Sequence, residues 1–154
     1  MQNTIIASVT KLVNSGMVKK ENLQGCTISD ISELEKKFDV KLPNNYIEFL
    51  KILGKRSDGF LQGTDFLYDK LFKLKQYAID LLKENKANYV LGKDDFVFMS
   101  HQGYQFLFFK CNDDKAIYCY EDGDSNIQKV YDNFEEWFSD TCNDEIETYK
   151  SFGQ

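Results

Sequence analysis

The stretch that most constrains the fold is residues 27–54, which carry two helix patterns joined at a Leu-Pro step. In the first pattern, three apolar residues share one helical face: Ile31, Leu34 and Phe38. Three polar residues at its start are candidate N-caps: Thr27, Ser29 and Asp30. Asp30 and Glu33 also have the spacing of a capping box. We therefore predict a first helix that ends before the Leu-Pro step.

Pro43 marks the start of a second helix. A proline biases the preceding Leu42 away from helical conformation and suits the first position of a new helix. Four apolar residues then recur at i, i+3, i+4 and i+7: Tyr46, Phe49, Leu50 and Leu53. Gly54 provides a natural stop. The sequence thus predicts two helices that meet at Leu42-Pro43.

The order of residues in these helices resembles the opening of the SUKH superfamily, which groups bacterial immunity proteins with fungal cell-wall-assembly regulators. The residues that carry the resemblance are Ile31, Glu35, Leu42, Pro43, Tyr46, Phe49, Leu50 and Gly54. Family members often continue with an Asn-Gly-Gly-like turn, whereas residues 54–59 read Gly-Lys-Arg-Ser-Asp-Gly. The resemblance covers roughly residues 28–140. It implies an α+β fold in which helices from both ends of the chain flank a largely antiparallel sheet.

An antiparallel meander is predicted over about residues 95–131, where the apolar pattern changes to a period of two. The predicted strands cover residues 96–100, 103–111, 115–121 and 126–131. The second strand is apolar on both faces, so we expect it at the centre of the sheet with both sides covered. Acidic turns connect the last three strands.

Amphipathic patterns predict three further helices. The first covers residues 2–20 and the second about residues 69–86, with residues 55–68 forming a loop before the second. The last helix opens at Asp132, which has Glu135 at capping-box spacing. Its apolar side is formed by Phe134, Trp137 and Phe138.

The net charge of −6 is distributed unevenly. Residues 111–154 contain 3 basic and 12 acidic residues, a net charge of −9, whereas residues 1–56 have a net charge of +3. Such a field attracts a basic partner and repels nucleic acid. The alternative is an acidic surface that only keeps the protein solvated. With 154 residues, one proline and no linker-like segment, we predict a single domain over residues 1–154.

Patterns for catalysis or metal binding are weak. His101 is the single histidine, and residues 122–126 only partly match a calcium loop. Four cysteines occur without a Cys-x-x-Cys pair: Cys26, Cys111, Cys119 and Cys142. We therefore predict no catalytic residue, no metal and no cofactor, and we expect His101 to be structural. A small enzyme built on convergent carboxylates and His101 is an alternative that the sequence leaves open.

Targeting signals are also lacking in the sequence. The first 13 residues have neither the basic start nor the cleavage-like end of a signal peptide, and no apolar run reaches 18 residues. We therefore expect a cytoplasmic protein with reduced cysteines and with no membrane partner.

The resemblance implies an immunity protein that binds a cognate bacterial toxin domain and neutralises it by stoichiometric occlusion. Family toxins are frequently nucleases, which tend to be basic, so the acidic end of the chain would suit such a partner. The alternative is an intracellular scaffold or regulatory protein-interaction module, as the fungal members suggest. The sequence does not predict the oligomeric state.

We expect the partner to bind at the acidic turns of the meander. The candidate partner-binding residues are Asp113, Asp114, Tyr118, Tyr120, Glu121, Asp122 and Asp124. Connections on either side of an antiparallel strand lie at its opposite ends, so the first two aspartates should be separated from the last three acidic residues. Tyrosines beside carboxylates are common at interfaces, although the two tyrosines would also suit packing under a helix.

Overall fold

The computed structural model describes residues 4–112 and 114–152, and along them helices precede and follow an antiparallel sheet. The α-helices are α1 (Thr4–Asn14), α2 (Ile28–Phe38), α3 (Asn44–Leu53), α4 (Tyr68–Glu84) and α5 (Phe134–Phe152), with a short 3₁₀ helix at Lys20–Asn22. The strands are β1 (Thr64–Asp65), β2 (Asp95–His101), β3 (Gln105–Lys110), β4 (Ile117–Glu121) and β5 (Gln128–Tyr131). The predicted α+β class and the flanking helices are confirmed.

The sheet has the strand order β1-β2-β3-β4-β5, with every neighbouring pair antiparallel. The predicted second strand of the meander, β3, lies at its centre, and its four inner residues 106–109 are all buried. This confirms the expectation drawn from its two apolar faces. The two-residue strand β1 was not predicted, because its residues lie in a segment that the sequence marks as a loop.

One face of the sheet is covered by an aromatic cluster from α3 and α5. The Phe134 ring on α5 lies 5.3 Å from the rings of both Tyr46 and Phe49 on α3 and 5.5 Å from that of Phe98 on β2. These rings meet edge-to-face, which is a favourable arrangement for aromatic pairs. The predicted apolar faces of α3 and α5 therefore pack against each other and against the sheet. The other face packs against α4 through β2.

The start of α2 differs from the predicted capping box. Thr27 is the N-cap, and its hydroxyl accepts a hydrogen bond from the Asp30 backbone N–H at 3.1 Å. The Asp30 carboxylate in turn accepts one from the Thr27 backbone N–H at 2.8 Å. The capping box is thus formed by Thr27 and Asp30, and the prediction that Asp30 pairs with Glu33 was wrong. The helix begins three residues earlier than that pairing required.

Gly54 ends α3 at the predicted place but for a different reason. Its φ of −66° is ordinary for any residue, so a left-handed stop is not what requires glycine there. A Cβ at this position would lie 2.6 Å from both the Cys26 Sγ and the Leu50 carbonyl oxygen. Gly25 is even closer, because its Cβ would lie 1.6 Å from the Lys51 carbonyl oxygen. The chain before α2 therefore crosses the end of α3 at backbone contact.

The first and last helices also differ from their predicted limits. The first helix, α1, ends at Asn14 rather than residue 20. Gly16 follows with a φ of +85°, a left-handed conformation that glycine adopts without strain. In α5 the first turn is capped by Asn133, whose side-chain oxygen accepts a hydrogen bond from the Glu136 N–H at 2.9 Å. Asp132, the predicted cap, instead forms an ion pair with Lys129 at 2.7 Å.

Phe49→Ala should lower the free energy of unfolding by about 3–5 kcal/mol, because the side chain is only 1% exposed and its loss leaves a cavity in the aromatic cluster. Chemical denaturation measures the effect. Phe152→Ala is the matched control, since that ring is 86% exposed and its loss should change stability by less than about 0.5 kcal/mol. Equal shifts for the two variants would show that Phe49 is not a core residue.

Candidate partner-binding surface

The predicted acidic residues that the structure describes lie at opposite ends of β4, as the antiparallel connections require. Asp114 precedes the strand, whereas Glu121, Asp122 and Asp124 belong to the turn that follows it. We refer to these last three residues as the turn acids. Asp113 lies outside the described residues.

Asp114 and Tyr118 bind each other. The Tyr118 hydroxyl donates a hydrogen bond to the Asp114 carboxylate at 2.5 Å, and the Ala116 backbone N–H donates another at 2.9 Å. The tyrosine hydroxyl is the main cause that lowers the pKa of Asp114, and the same hydrogen bond raises the pKa of Tyr118. The pair therefore fixes the chain where it enters β4.

Tyr120 does not belong to the exposed surface. Its side chain is fully buried, and its ring lies 5.6 Å from that of Phe106 on β3. Its hydroxyl donates to the Asp124 carbonyl oxygen at 2.7 Å and accepts from the Asn85 side chain at 3.0 Å. A partner would have to displace the end of α4 to contact the ring. Its place among the candidate binding residues is corrected accordingly: Tyr120 supports the turn from below.

The turn acids are held by neutral groups, and two of the three are exposed to solvent. The Asn85 side chain donates to the Asp122 carboxylate at 2.7 Å, and the Gln105 side chain donates to the Glu121 carboxylate at 3.0 Å. Glu121 and Asp122 are exposed and Asp124 is half-buried. Within residues 4–112 and 114–152, none of the three forms an ion pair. Their negative charge is therefore available to a cationic partner.

A second acidic surface, which the sequence reasoning missed, lies on α5 beside β5. Its exposed residues recur at helical spacing: Glu136, Asp140, Asp144 and Glu147. We refer to them as the α5 acidic stripe. The Tyr131 hydroxyl on β5 donates to the Asp140 carboxylate at 2.5 Å and so joins the strand to the helix. Burial and then this hydrogen bond raise the pKa of Tyr131 to about 12. The spacing was visible in the sequence, but the proximity to β5 was not.

A buried ion pair lies away from both acidic surfaces. Lys110 on β3 donates to the Asp95 carboxylate at 3.0 Å, and Asp95 is only 3% exposed. The same carboxylate accepts hydrogen bonds from the Tyr89 hydroxyl at 2.7 Å and the Gly92 N–H at 2.8 Å. Lys110 also borders a cleft of about 500 Å³ between the N-terminal ends of α3 and α5. Because all members of this network bind one another, we assign it to the structure of the sheet.

The residues considered for catalysis or metal binding take part in contacts that hold the fold together, or are buried thiols. The His101 Nδ1 atom lies 2.8 Å from the Thr64 hydroxyl, so the histidine connects β2 to β1. Burial raises the pKa of the Cys26 thiol to about 11 and that of Cys111 to about 12, which disfavours their thiolates. Across the described parts of the chain, no group of three or more histidine, cysteine or acidic side chains is arranged to hold a metal ion.

None of the described helices is both long and apolar enough to span a lipid bilayer.

The fold and its surface describe an α+β protein with charged faces around one edge of an antiparallel sheet. A family model described as the SMI1 / KNR4 family (SUKH-1) matches residues 25–140, about three-quarters of the chain. The chain therefore belongs to the SUKH superfamily, which confirms the resemblance carried by the residues around Leu42-Pro43. Membership supports a role in protein interaction of the immunity or regulatory type. No curated protein matches the chain.

Asp114→Asn should destabilise the protein near pH 7 by about 1 kcal/mol, because a hydrogen bond to a charged group is lost and solvent partly screens it. The carboxyl pKa is lower in the folded chain than in the unfolded chain. Its contribution is therefore complete above the unfolded pKa of about 3.9 and is lost as the pH falls through the folded pKa. Denaturant titrations at several pH values should show the wild-type advantage shrinking in acid.

Tyr118→Phe is the matched variant for this pH series, since it removes the hydroxyl that donates to Asp114. It should show the same loss of pH dependence, and the double variant should be less than additive. A wild-type advantage that stays constant between neutral and acidic pH would contradict the role given to this pair.

Proposed function

We propose that the chain is a cytoplasmic immunity protein that binds a cognate bacterial toxin domain and blocks it by stoichiometric occlusion, without turnover. Membership in the SUKH superfamily supports the class of function. The observation that carries the choice of partner is the set of turn acids, two of which are exposed and all of which are held by amide groups instead of cations. That the whole chain, residues 1–154, forms one domain stays a prediction.

A basic toxin domain, such as a nuclease, fits these charges. Residues 111–154 have a net charge of −9, and both acidic surfaces lie within them. Opposite charges steer diffusional encounter and set specificity more than they set final affinity. Occlusion then needs contact area, which the exposed residues around β5 can contribute. The same field opposes binding to a nucleic-acid backbone.

The double variant Asp122→Asn/Asp124→Asn should slow association with the cognate toxin domain by about three-fold or more at low ionic strength. Asparagine can still accept the hydrogen bond from Asn85, so the turn should persist and the thermal midpoint should hardly change. Stopped-flow association measured across salt concentrations should show the rates converge at high salt. Asp122→Lys/Asp124→Lys should slow association further.

The matched control for this experiment is Glu21→Gln/Asp65→Asn, which also removes two exposed negative charges. Asp65 lies on β1 at the opposite edge of the sheet, and Glu21 lies in the 3₁₀ helix. This control should associate at nearly the wild-type rate. If the asparagine and the lysine variants of Asp122 and Asp124 both associate at the wild-type rate at every salt concentration, the turn acids are not the electrostatic contact.

His101→Ala should leave protection against the toxin intact, with a loss of stability of about 1 kcal/mol because the Thr64 hydroxyl loses its partner. A growth-protection assay with the toxin, together with a thermal melt, measures both quantities. Loss of protection in a variant that still folds would point to a binding or active site at this histidine.

A scaffold or regulatory role is the second candidate, because membership in the SUKH superfamily fits a regulatory type of protein interaction as well as an immunity type. Affinity capture distinguishes the two functions. A single toxin partner in equal stoichiometry supports the immunity function, whereas several unrelated endogenous partners would support the scaffold.

A further inference from the structure

We propose that β5 is a docking edge at which an extended, basic segment of the partner adds a sixth strand to the sheet. This inference rests on the proposed function and specifies how the partner binds. In strand addition, main-chain hydrogen bonds give affinity and alternate side chains give specificity.

The outer edge of β5 is available for pairing. Within the described residues, the strand is the last in the sheet and pairs only with β4. Its first three residues are exposed, including 41% of Val130. The opposite edge is formed by β1, which has two residues and so offers less backbone to a partner. The longer edge, with an apolar side chain at its surface, is the better template for an added strand.

Acidic groups flank this edge at both ends. The turn acids lie where β4 leads into β5, and Asp132 follows the strand directly. The first half of the α5 acidic stripe lies beside the strand, since Asp140 accepts the hydrogen bond from Tyr131. Lys129 is the strand's own cation, and Asp132 pairs with it at 2.7 Å. A segment laid along β5 would therefore meet the turn acids at one end and Asp140 at the other, whereas the charge of Asp132 is compensated by Lys129.

The same charges argue against a second copy of the chain as the occupant. If two β5 strands paired in antiparallel orientation, the turn acids of each copy would lie beside Asp132 and the α5 acidic stripe of the other. If they paired in parallel, each acidic group would meet its own counterpart. Both arrangements place like charges together at close range, which is unfavourable. A basic segment from another protein would pair with the backbone of β5 and also neutralise the acidic groups beside it.

The edge also carries features that limit indiscriminate pairing. The register between β4 and β5 shifts at Ile117 and Tyr118, which marks a bulge in the pairing, and Lys129 is exposed on the strand. Bulges and edge lysines are devices by which natural sheets avoid aggregation. A partner strand must therefore bring compensating charge, and alternating basic residues would do so through the flanking carboxylates.

The experiment uses the full chain, labelled with ¹⁵N, and an octapeptide of alternating lysine and valine as the probe. Saturating peptide should shift the amide signals of residues 128–131. It should also slow, by about ten-fold, the hydrogen exchange of those residues whose N–H groups point away from β4, because the new backbone hydrogen bonds protect them. The control peptide has the same residues with every backbone amide nitrogen methylated, which keeps the charge and removes the donors. It should bind at least about ten-fold more weakly.

The protein variants separate the backbone contact from the charges. Glu136→Gln/Asp140→Asn should weaken binding of the lysine-valine peptide, whereas Glu21→Gln/Asp65→Asn should not. If the methylated peptide binds equally well, or if the shifts fall outside β5 and its flanks, strand addition is wrong. In the absence of peptide, sedimentation should show a monomer. A dimer formed through β5 would mean that a second copy occupies this edge, and it would overturn the proposal.

Failure of this inference is distinguishable from failure of the proposed function. If the chain neutralises its toxin but exchange at residues 128–131 is unchanged in that complex, the docking edge is wrong and the immunity function stands. If β5 binds the peptide with protection of these amides but the chain neutralises no toxin, the docking edge stands and the immunity function is wrong.

Discussion

The packing of Phe134 against α3 and the sheet is the contact on which the rest of the structure depends. Its ring lies within 5.5 Å of rings on α3 and β2, so one residue joins the two ends of the family match to its central sheet. The cluster also encloses the Tyr46 hydroxyl, which is buried without a hydrogen-bond partner in the described structure. Burial raises its pKa well above the ordinary value. The aromatic contacts offset the cost of desolvating this group.

Sequence periodicity predicted most of the fold because each element buries one regular face. The helices on either side of Pro43 and the central position of β3 followed from apolar spacing alone. What failed depends on contacts between residues far apart in the chain. Thr64 pairs with His101, so β1 forms by pairing with β2, which lies more than 30 residues further along the chain. Likewise, part of what requires glycine at position 54 is the distant Cys26 side chain, which would lie 2.6 Å from a Cβ there and which no local pattern reveals.

The candidate surface was predictable to a similar extent. Antiparallel connectivity placed Asp114 and the turn acids at opposite ends of β4. Alternation also placed Tyr118 and Tyr120 on one face, but it cannot say which part of that face a helix covers. The Asn85 side chain, at the end of α4, donates a hydrogen bond to the Tyr120 hydroxyl, which shows that α4 covers the Tyr120 end of this face. The α5 acidic stripe was readable as a spacing, whereas its place beside β5 depends on tertiary packing.

The way in which each carboxylate is held separates structural acids from those available to a partner. Asp30 and Asp95 each pair with a lysine, at 2.8 Å and 3.0 Å, so their charges are compensated within the chain. The turn acids are held by amide groups instead, which fix their positions without neutralising them. Such a concentration of like charge opposes the compact state through self-repulsion. A cationic partner would relieve that repulsion on binding, and this gain supports the proposal of a basic toxin domain as the partner.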